Sequence, residues 1–182
     1  MISAAELTGI IYVLGAITFE EICAVEKEIS ELRDSDHDTG SLDELCIKAV
    51  KEHLLESVSA EDVSEAGDNG DAYFITGPNS FPEIPPELSQ VIDILKLPVR
   101  KVDMDTISIK LLNSFQQKIR RLDIKIEDIE VDRKEIKKLE SKYSDLLNLY
   151  YDYDSWLPGK FGSVAANLMD ISKKIERLKR SN

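Results

Sequence analysis

The sequence predicts a mainly α protein of the α+β class, with a small β-hairpin in its N-terminal part and a helical C-terminal part. Three observations predict this class. Capped amphipathic runs fill most of the first 54 positions, and two short strand-like runs follow, the second at 73–75. The 59 residues from Val99 to Leu157 contain neither glycine nor proline. With 42% hydrophobic and 32% charged residues, the chain can form both a core and a solvated surface.

The first two helices carry the same start signal. Ser3 precedes a helical pattern and Glu6 stands three residues later, which is the spacing of a capping box. Thr18 and Glu21 repeat that spacing, and Gly15 between them ends the first helix. We therefore expect one helix over about 4–14 and a second over about 19–33, each with one apolar face.

Residues 34–40, DSDHDTG, carry three alternating aspartates at the spacing of the first three ligands of a calcium loop. The glycine comes one place late, and Leu45 stands where that loop needs a bidentate glutamate. The sequence therefore predicts no metal site here. It predicts a polar turn that ends in a helix N-cap at Ser41, with Glu44 three residues on.

The third helix leads into a hairpin. Leu54, Leu55 and Val58 begin the first strand, residues 73–75 form the returning strand, and Asp-Asn-Gly at 68–70 favours a turn between them. Three helices followed by a hairpin wing resemble winged-helix domains. The chain departs from that pattern in its seven-residue connector and in its acidic third helix.

The charge is spread unevenly along the chain. Residues 1–95 hold 21 Asp and Glu against four Lys and Arg, whereas residues 96–182 hold 14 against 19, for a net charge of −12. A winged helix that reads DNA needs cations on its third helix and its wing. Both elements are acidic here, so nucleic acid is a disfavoured partner, and any contact with it should lie late in the chain.

The C-terminal half is predicted to form antiparallel helices. Apolar residues recur at helical spacing from Ile107 to Ile129 and again from Ile136, and the phase slips between these two stripes. We favour two helices with a turn near 123–132, and a single long helix is the alternative. A last helix is expected over 163–178.

Prolines at 78, 82, 85 and 86 stiffen the segment between the two parts, and Pro86 suits the first turn of a short helix over 86–95. The predicted domains are thus a winged-helix-like domain at 1–82, a proline-bounded linker with that short helix at 83–98, and a helical domain at 99–182.

Two surfaces of the helical domain are candidates for binding. The second stripe is the candidate interaction surface, formed by Ile136, Leu139, Tyr143, Leu146, Tyr150, Tyr153 and Trp156. The end of the last helix is the candidate basic patch, formed by Lys173, Lys174, Arg177, Lys179 and Arg180. The aromatic cluster before Pro158 could stack on a ligand, but such a cluster at a helix end is more often a packing corner.

Two stretches, GPNSFPEIPPEL after the wing and LLNLYYDYDSWLP before the last helix, resemble an uncharacterised family of archaeal proteins from methanogens and halophiles. The resemblance implies an archaeal cytoplasm. It implies no activity and no binding residues.

The sequence predicts no enzyme. It contains no phosphate-binding glycine loop, no HExxH, no GxSxG and no CxxC pair, so no catalytic residue, metal or cofactor is expected. Its two cysteines and its lack of a long apolar run favour a cytoplasmic protein without a membrane partner. The leading hypothesis is a protein-interaction module with a protein partner or a homo-oligomer. The alternative is a DNA-binding transcriptional regulator.

Overall fold

The computed structural model of the protein describes residues 1–36, 38–67, 72–127 and 133–180. The chain is mainly helical, with a small antiparallel sheet, and it divides into an N-terminal unit, Met1–Met104, and a three-helix unit, Asp105–Asn182. The helices are α1 (Ala4–Leu14), α2 (Phe19–Leu32), α3 (Thr39–Lys51), α4 (Leu88–Leu95), α5 (Met104–Glu127), α6 (Arg133–Trp156) and α7 (Gly162–Arg180). The strands are β1 (Ile17–Thr18), β2 (Leu55–Ser59) and β3 (Ala72–Thr76). Within the described ranges, none of the helices combines the length and the apolar character that a membrane span requires.

Both predicted capping boxes are confirmed. The Ser3 hydroxyl accepts a hydrogen bond from the Glu6 N–H at 3.1 Å, and the Ser3 N–H donates to the Glu6 carboxylate at 2.8 Å. Thr18 and Glu21 form the same pair of bonds at 3.2 and 3.0 Å. Each box satisfies two backbone donors that the first helical turn leaves without an intrahelical partner.

The start of α3 differs from the prediction. Asp38 is its N-cap, and the Asp38 carboxylate accepts hydrogen bonds from the Gly40 N–H and from the Ser41 hydroxyl. The predicted cap at Ser41 is therefore wrong, because Asp38, three residues earlier, accepts the hydrogen bond of the first turn and starts the helix. Among the described residues, no group of three or more His, Cys, Asp or Glu side chains is placed to hold a metal ion.

The sheet has the order β1-β3-β2, and both pairings are antiparallel. Phe74 occupies its centre, because it is opposite Ile17 on β1 and opposite Ser57 on β2. The sequence predicted β2 and β3 but not β1, since two residues are too few to show a period of two. The predicted turn at 68–70 lies outside the described residues.

The core of the N-terminal unit joins α1, α2, α3 and α4 to the sheet. Its fully buried members include Leu7, Ile10, Ile11, Leu14, Ile17, Ile22, Val25, Ile29, Leu42, Leu55, Leu88 and Val91. Burying one such side chain contributes about 1.5–3 kcal/mol relative to leaving it exposed. This apolar set is the main source of the stability of the unit.

The segment predicted as a linker, 83–98, packs on the N-terminal unit. The Glu83 N–H donates to the Ala5 carbonyl at 2.9 Å, and a Cβ at Gly9 would lie 2.0 Å from the Glu83 carbonyl oxygen. Glycine at position 9 thus allows this segment to cross α1 at close range. The segment also places Leu88 and Val91 in the core.

Arg100 closes the N-terminal unit. Its guanidinium donates to the Glu21 carboxylate at 2.7 and 2.8 Å and to the Ala16 carbonyl at 3.1 Å, and it lies 5.1 Å from the centre of the Tyr73 ring. Its backbone N–H donates to the Leu14 carbonyl at 2.8 Å, at the end of α1. The residue is only 8% exposed. One side chain and its backbone therefore tie the α1–α2 corner to the sheet.

The three-helix unit packs α5, α6 and α7 around an aromatic centre. The Phe115 ring of α5 meets Tyr153 edge-on at 6.4 Å between centroids and Phe161 at 6.2 Å, while Tyr153 and Phe161 stack at 5.4 Å. Further along α5, Lys125 is next to Lys142 of α6. Because a later residue of α5 meets an earlier residue of α6, the two helices are antiparallel. The turn predicted near 123–132 begins later than expected, because residues 123–127 belong to α5; residues 128–132 lie outside the described ranges.

Replacing Arg100 with alanine should destabilise the N-terminal unit by about 3–5 kcal/mol, because the Glu21 carboxylate would lose its buried cation. Arg100→Lys should be intermediate, since an ammonium cannot reproduce the two parallel bonds to one carboxylate. The measurement is the stability of the unit in urea, monitored through hydrogen exchange of the β3 amides. Lys101→Ala, an exposed neighbour, is the control and should change stability by less than about 0.5 kcal/mol.

A second ion-paired cluster makes the stability of this unit depend on pH. Arg33 donates to Glu6 at 2.7 Å and to Glu87 at 2.8 and 3.0 Å. Burial acts to raise the pKa of Glu6 and of Glu21, but bonds from Arg33, from Arg100 and from the capped backbone N–H groups outweigh it, so both pKa values are lowered. The Arg33 hydrogen bond also lowers the pKa of Glu87.

Because these three pKa values are depressed on folding, their contribution to stability is present above the ordinary glutamate pKa of 4.5. It should be lost as the pH falls from that value through the lowered pKa values. We expect the urea concentration at the unfolding midpoint of the N-terminal unit to fall as the pH is lowered below 4.5. This fall should be smaller in Arg33→Ala. Lys27→Ala, which removes an exposed pair with Glu31 at 3.8 Å, should leave the profile unchanged; an equal change in both variants would contradict the assignment.

Candidate functional site

An apolar groove opens on the N-terminal unit between α3 and the sheet. Its volume is about 430 Å³, and its lining is mostly hydrophobic. The residues that line it are Phe19, Asp43, Cys46, Ile47, Val50, Ser57 and Phe74. They come from the start of α2, from α3 and from the two longer strands, so the groove exists only once the unit has folded.

The position of α3 determines which of its residues face this groove. Leu42, Cys46 and Ala49 are buried, as their spacing of four and three residues along the helix requires. Ile47 lies on the outer side and is 61% exposed. An isoleucine in that position leaves apolar surface in water, where a helix of this composition normally carries a polar residue.

The sheet forms the opposite wall. Phe74 and Ser57 are directly paired across β3 and β2, so their side chains project from the same face. Phe74 is half-buried and packs against the core with Phe19. The wall is therefore rigid and apolar, with a single hydroxyl from Ser57.

The thiols in and near the groove are not activated. Cys46 lines the groove, and its thiol could act as a nucleophile only as the thiolate. Burial, with Cys23 and Asp43 nearby, raises the pKa of this thiol to about 12. Burial and the carboxylates of Glu26, Asp43 and Glu20 also raise the pKa of Cys23. Both thiols are held in their neutral form at physiological pH, which is the opposite of what an activated cysteine requires.

Comparison with protein families gives a match. A family of unknown function (DUF7109) matches residues 5–173, which is most of the chain. The chain belongs to this family. Neither the curated proteins nor the solved structures that were searched give a match. This match fits the expected resemblance to an uncharacterised family, and the matched region includes every residue of the groove.

The candidate interaction surface on α6 lies largely inside the three-helix unit. Ile136, Leu139 and Tyr153 are buried there. The partly exposed members of the surface are Tyr143, Leu146, Tyr150 and Trp156. A stripe at helical spacing packs on the other helices of its own unit first, so only this second group has surface left for a partner.

The candidate basic patch on α7 is mostly engaged in ion pairs. Lys173 is paired with Asp170 at 3.3 Å, Lys174 with Asp123 and Glu127, and Lys179 with Glu140 and Glu176. Arg177 also has a partner, while Arg180 is exposed at the helix end. Carboxylates from α5 and α6 therefore neutralise much of the charge that the sequence placed on this patch.

Sequence reasoning did not find the groove. Helical spacing places Cys46 and Val50 on the apolar face of α3, and the strand residues form a pattern that predicts only a hairpin. The one available signal was Ile47, an apolar residue between the charged positions Glu44 and Lys48. It could not identify the opposite wall, because Phe19 and Phe74 are 55 positions apart in the sequence.

Alkylation should separate the two thiols. A rise of the Cys46 pKa from 9.0 to about 12 lowers its thiolate fraction near pH 8 roughly a thousandfold, so labelling of Cys46 by iodoacetamide should be slower than in the unfolded chain by at least that order. Cys23 is only half-buried and should react faster than Cys46. Peptide mapping by mass spectrometry after timed labelling measures both rates. Rapid labelling of Cys46 in the folded protein would contradict the described burial.

Proposed function

We propose that this protein is a non-catalytic protein-interaction module that uses the groove beside α3 to receive a partner. The observation that carries the proposal is the exposed Ile47 at the edge of an apolar groove of about 430 Å³. Apolar concave sites with few polar groups are typical of ligand and peptide recognition. The raised pKa values of Cys46 and Cys23 argue against the alternative of thiol chemistry.

We further propose that the N-terminal unit is winged-helix-like. Its element order, α1-β1-α2-α3-β2-β3, and its sheet order, β1-β3-β2, support this assignment. In such a unit α3 is the recognition helix and the β2–β3 hairpin is the wing. The groove is then formed by the two elements that contact partners in winged-helix domains.

The partner should be a basic protein segment with apolar side chains. Residues 1–95 carry 21 acidic and four basic residues, and Asp43 is in the groove lining itself. The cations of α3 do little to offset this charge, since Lys48 lies 3.9 Å from Glu52. A basic segment would be attracted by the surrounding charge while its apolar residues fill the groove.

The same charge weighs against the DNA-binding alternative for α3. Asp43 and Glu44 on its exposed side would face phosphates if this helix entered a major groove. The three-helix unit is proposed as the dimerisation or docking half, with Tyr143, Leu146, Tyr150 and Trp156 as its remaining apolar surface. We propose an archaeal cytoplasm as the setting: the family resemblance supports the archaeal source, and two free cysteines suit a reducing compartment.

Ile47→Ser should weaken binding of a basic amphipathic helical peptide made of Lys and Leu about tenfold, because the loss of one well-packed aliphatic side chain costs about 1–3 kcal/mol. Fluorescence anisotropy of the labelled peptide measures this affinity. An acidic peptide of the same length, made of Glu and Leu, should bind far more weakly to the wild-type protein. Ile84→Ser is the matched control, since Ile84 is 55% exposed in the same unit but outside the groove.

Equal binding of the basic and acidic peptides would contradict the charge argument. Equal loss in the Ile47 and Ile84 variants would contradict the assignment of the groove. Both substitutions are at exposed positions, so the fold of either variant should be retained, and circular dichroism checks this.

A further inference from the structure

The three seams of the three-helix unit differ in how their charges are paired. Across the α5–α7 seam, Lys174 binds Asp123 and Glu127, and across the α6–α7 seam, Lys179 binds Glu140. The α5–α6 seam contains a cleft of about 280 Å³ with a different composition. It is lined by Lys118, Arg121, Leu122, Lys125, Lys142, Asp145 and Leu146.

Four cations therefore share this cleft with a single carboxylate. Within the described parts of the chain, Lys118, Arg121, Lys125 and Lys142 make no ion pair. Lys125 lies so close to Lys142 that their repulsion lowers the pKa of the Lys142 ammonium. A nearby like charge disfavours the charged form of each group, and an anion between the two ammonium groups would relieve that repulsion.

The arrangement of the cations has a definite length. Lys118, Arg121 and Lys125 are three and then four residues apart, so they lie on one face of α5. At 1.5 Å per residue, the outer two are separated by about 10 Å along the helix. Lys142 faces them from α6, and Leu122 and Leu146 form an apolar floor. An anion longer than one phosphate would be needed to contact all four.

We propose that the α5–α6 cleft is a binding site for a compact polyphosphate, meaning two or more linked phosphate groups, either free or as the tail of a nucleotide. The Arg121 fork matches two phosphate oxygens, and the lysines supply point charges on either side. A compact anion is favoured over duplex DNA because the α5 cations of the cleft span only about 10 Å of one seam, whereas Lys174 and Lys179 on the other two seams are already paired with carboxylates. This site is independent of the groove on the N-terminal unit.

The test is isothermal titration of the full-length chain with inorganic tripolyphosphate at low salt and without divalent metal. The wild-type protein should bind tripolyphosphate saturably and more tightly than orthophosphate. The double variant Lys125→Ala/Lys142→Ala should lose at least about tenfold in affinity, since it removes two charge-assisted bonds to the anion. The control is Lys134→Ala/Lys137→Ala, which removes the same charge from exposed positions of the same unit outside the cleft and should change affinity less than twofold.

Two further arms identify the source of the phosphate. ATP that binds as tightly as tripolyphosphate indicates recognition of the phosphate tail alone, whereas tighter binding of ATP indicates that the apolar floor contacts the nucleoside. The proposal is overturned if tripolyphosphate shows no saturable binding, or if both double variants lose affinity equally. It is also overturned if a 20-base-pair duplex binds more tightly than tripolyphosphate at equal phosphate concentration, because the face would then be a nucleic-acid surface.

Discussion

The buried guanidinium of Arg100 is the constraint around which the N-terminal unit is arranged. It joins the corner between α1 and α2, through Ala16 and Glu21, to the Tyr73 ring on the central strand. A guanidinium stays charged at any physiological pH, so burying it requires a carboxylate and several acceptors in fixed positions. Glu21 meets that requirement while it also caps α2, and thus one carboxylate orients both a helix start and a distant cation.

This arrangement also fixes the last segment of the unit. Residues 100–103 lie beside the chain that follows β2: Val102 bridges Val63, and the Asp103 N–H donates to the Asp62 carbonyl at 3.0 Å. Gly15 completes the corner, because its φ of 78° and a Cβ position only 2.0 Å from the Arg100 carbonyl oxygen exclude any side chain. Strands, corner and closing segment are therefore held by one set of bonds around the same residue.

The distribution of charge separates the two units by chemistry. Residues 1–95 hold 21 Asp and Glu against four Lys and Arg, and the two arginines of the N-terminal unit, Arg33 and Arg100, are both held in ion pairs within it. In the three-helix unit Lys174 and Lys179 are paired with carboxylates across two of the three seams, whereas four cations line the α5–α6 cleft with one carboxylate, Asp145. An acidic surface around an apolar groove and a basic cleft are suited to different ligands, and this is why a basic segment and a compact anion are proposed as separate partners.

The sequence by itself determined the local structure. The capping boxes at Ser3 and Thr18, the strands β2 and β3 and the helical character of the second half could all be predicted, because each depends on residues a few positions apart. Even at this level, the sequence did not show which of two nearby residues would cap a helix. Asp38 is the N-cap of α3, in place of Ser41. Amphipathic spacing likewise identified the apolar face of α6 without showing that its own unit covers much of it.

Only the tertiary structure decided what those elements form together. Strand β1 exists because β3 lies next to Ile17, and the groove exists because Phe19 and Phe74, 55 positions apart in the sequence, both line it. Charge pairing also depends on the tertiary structure. The sequence predicted a basic patch on α7, but Lys174 and Lys179 of that patch are paired with carboxylates of α5 and α6. Pairing at such separations depends on how helices and strands pack, and local spacing contains no information about it.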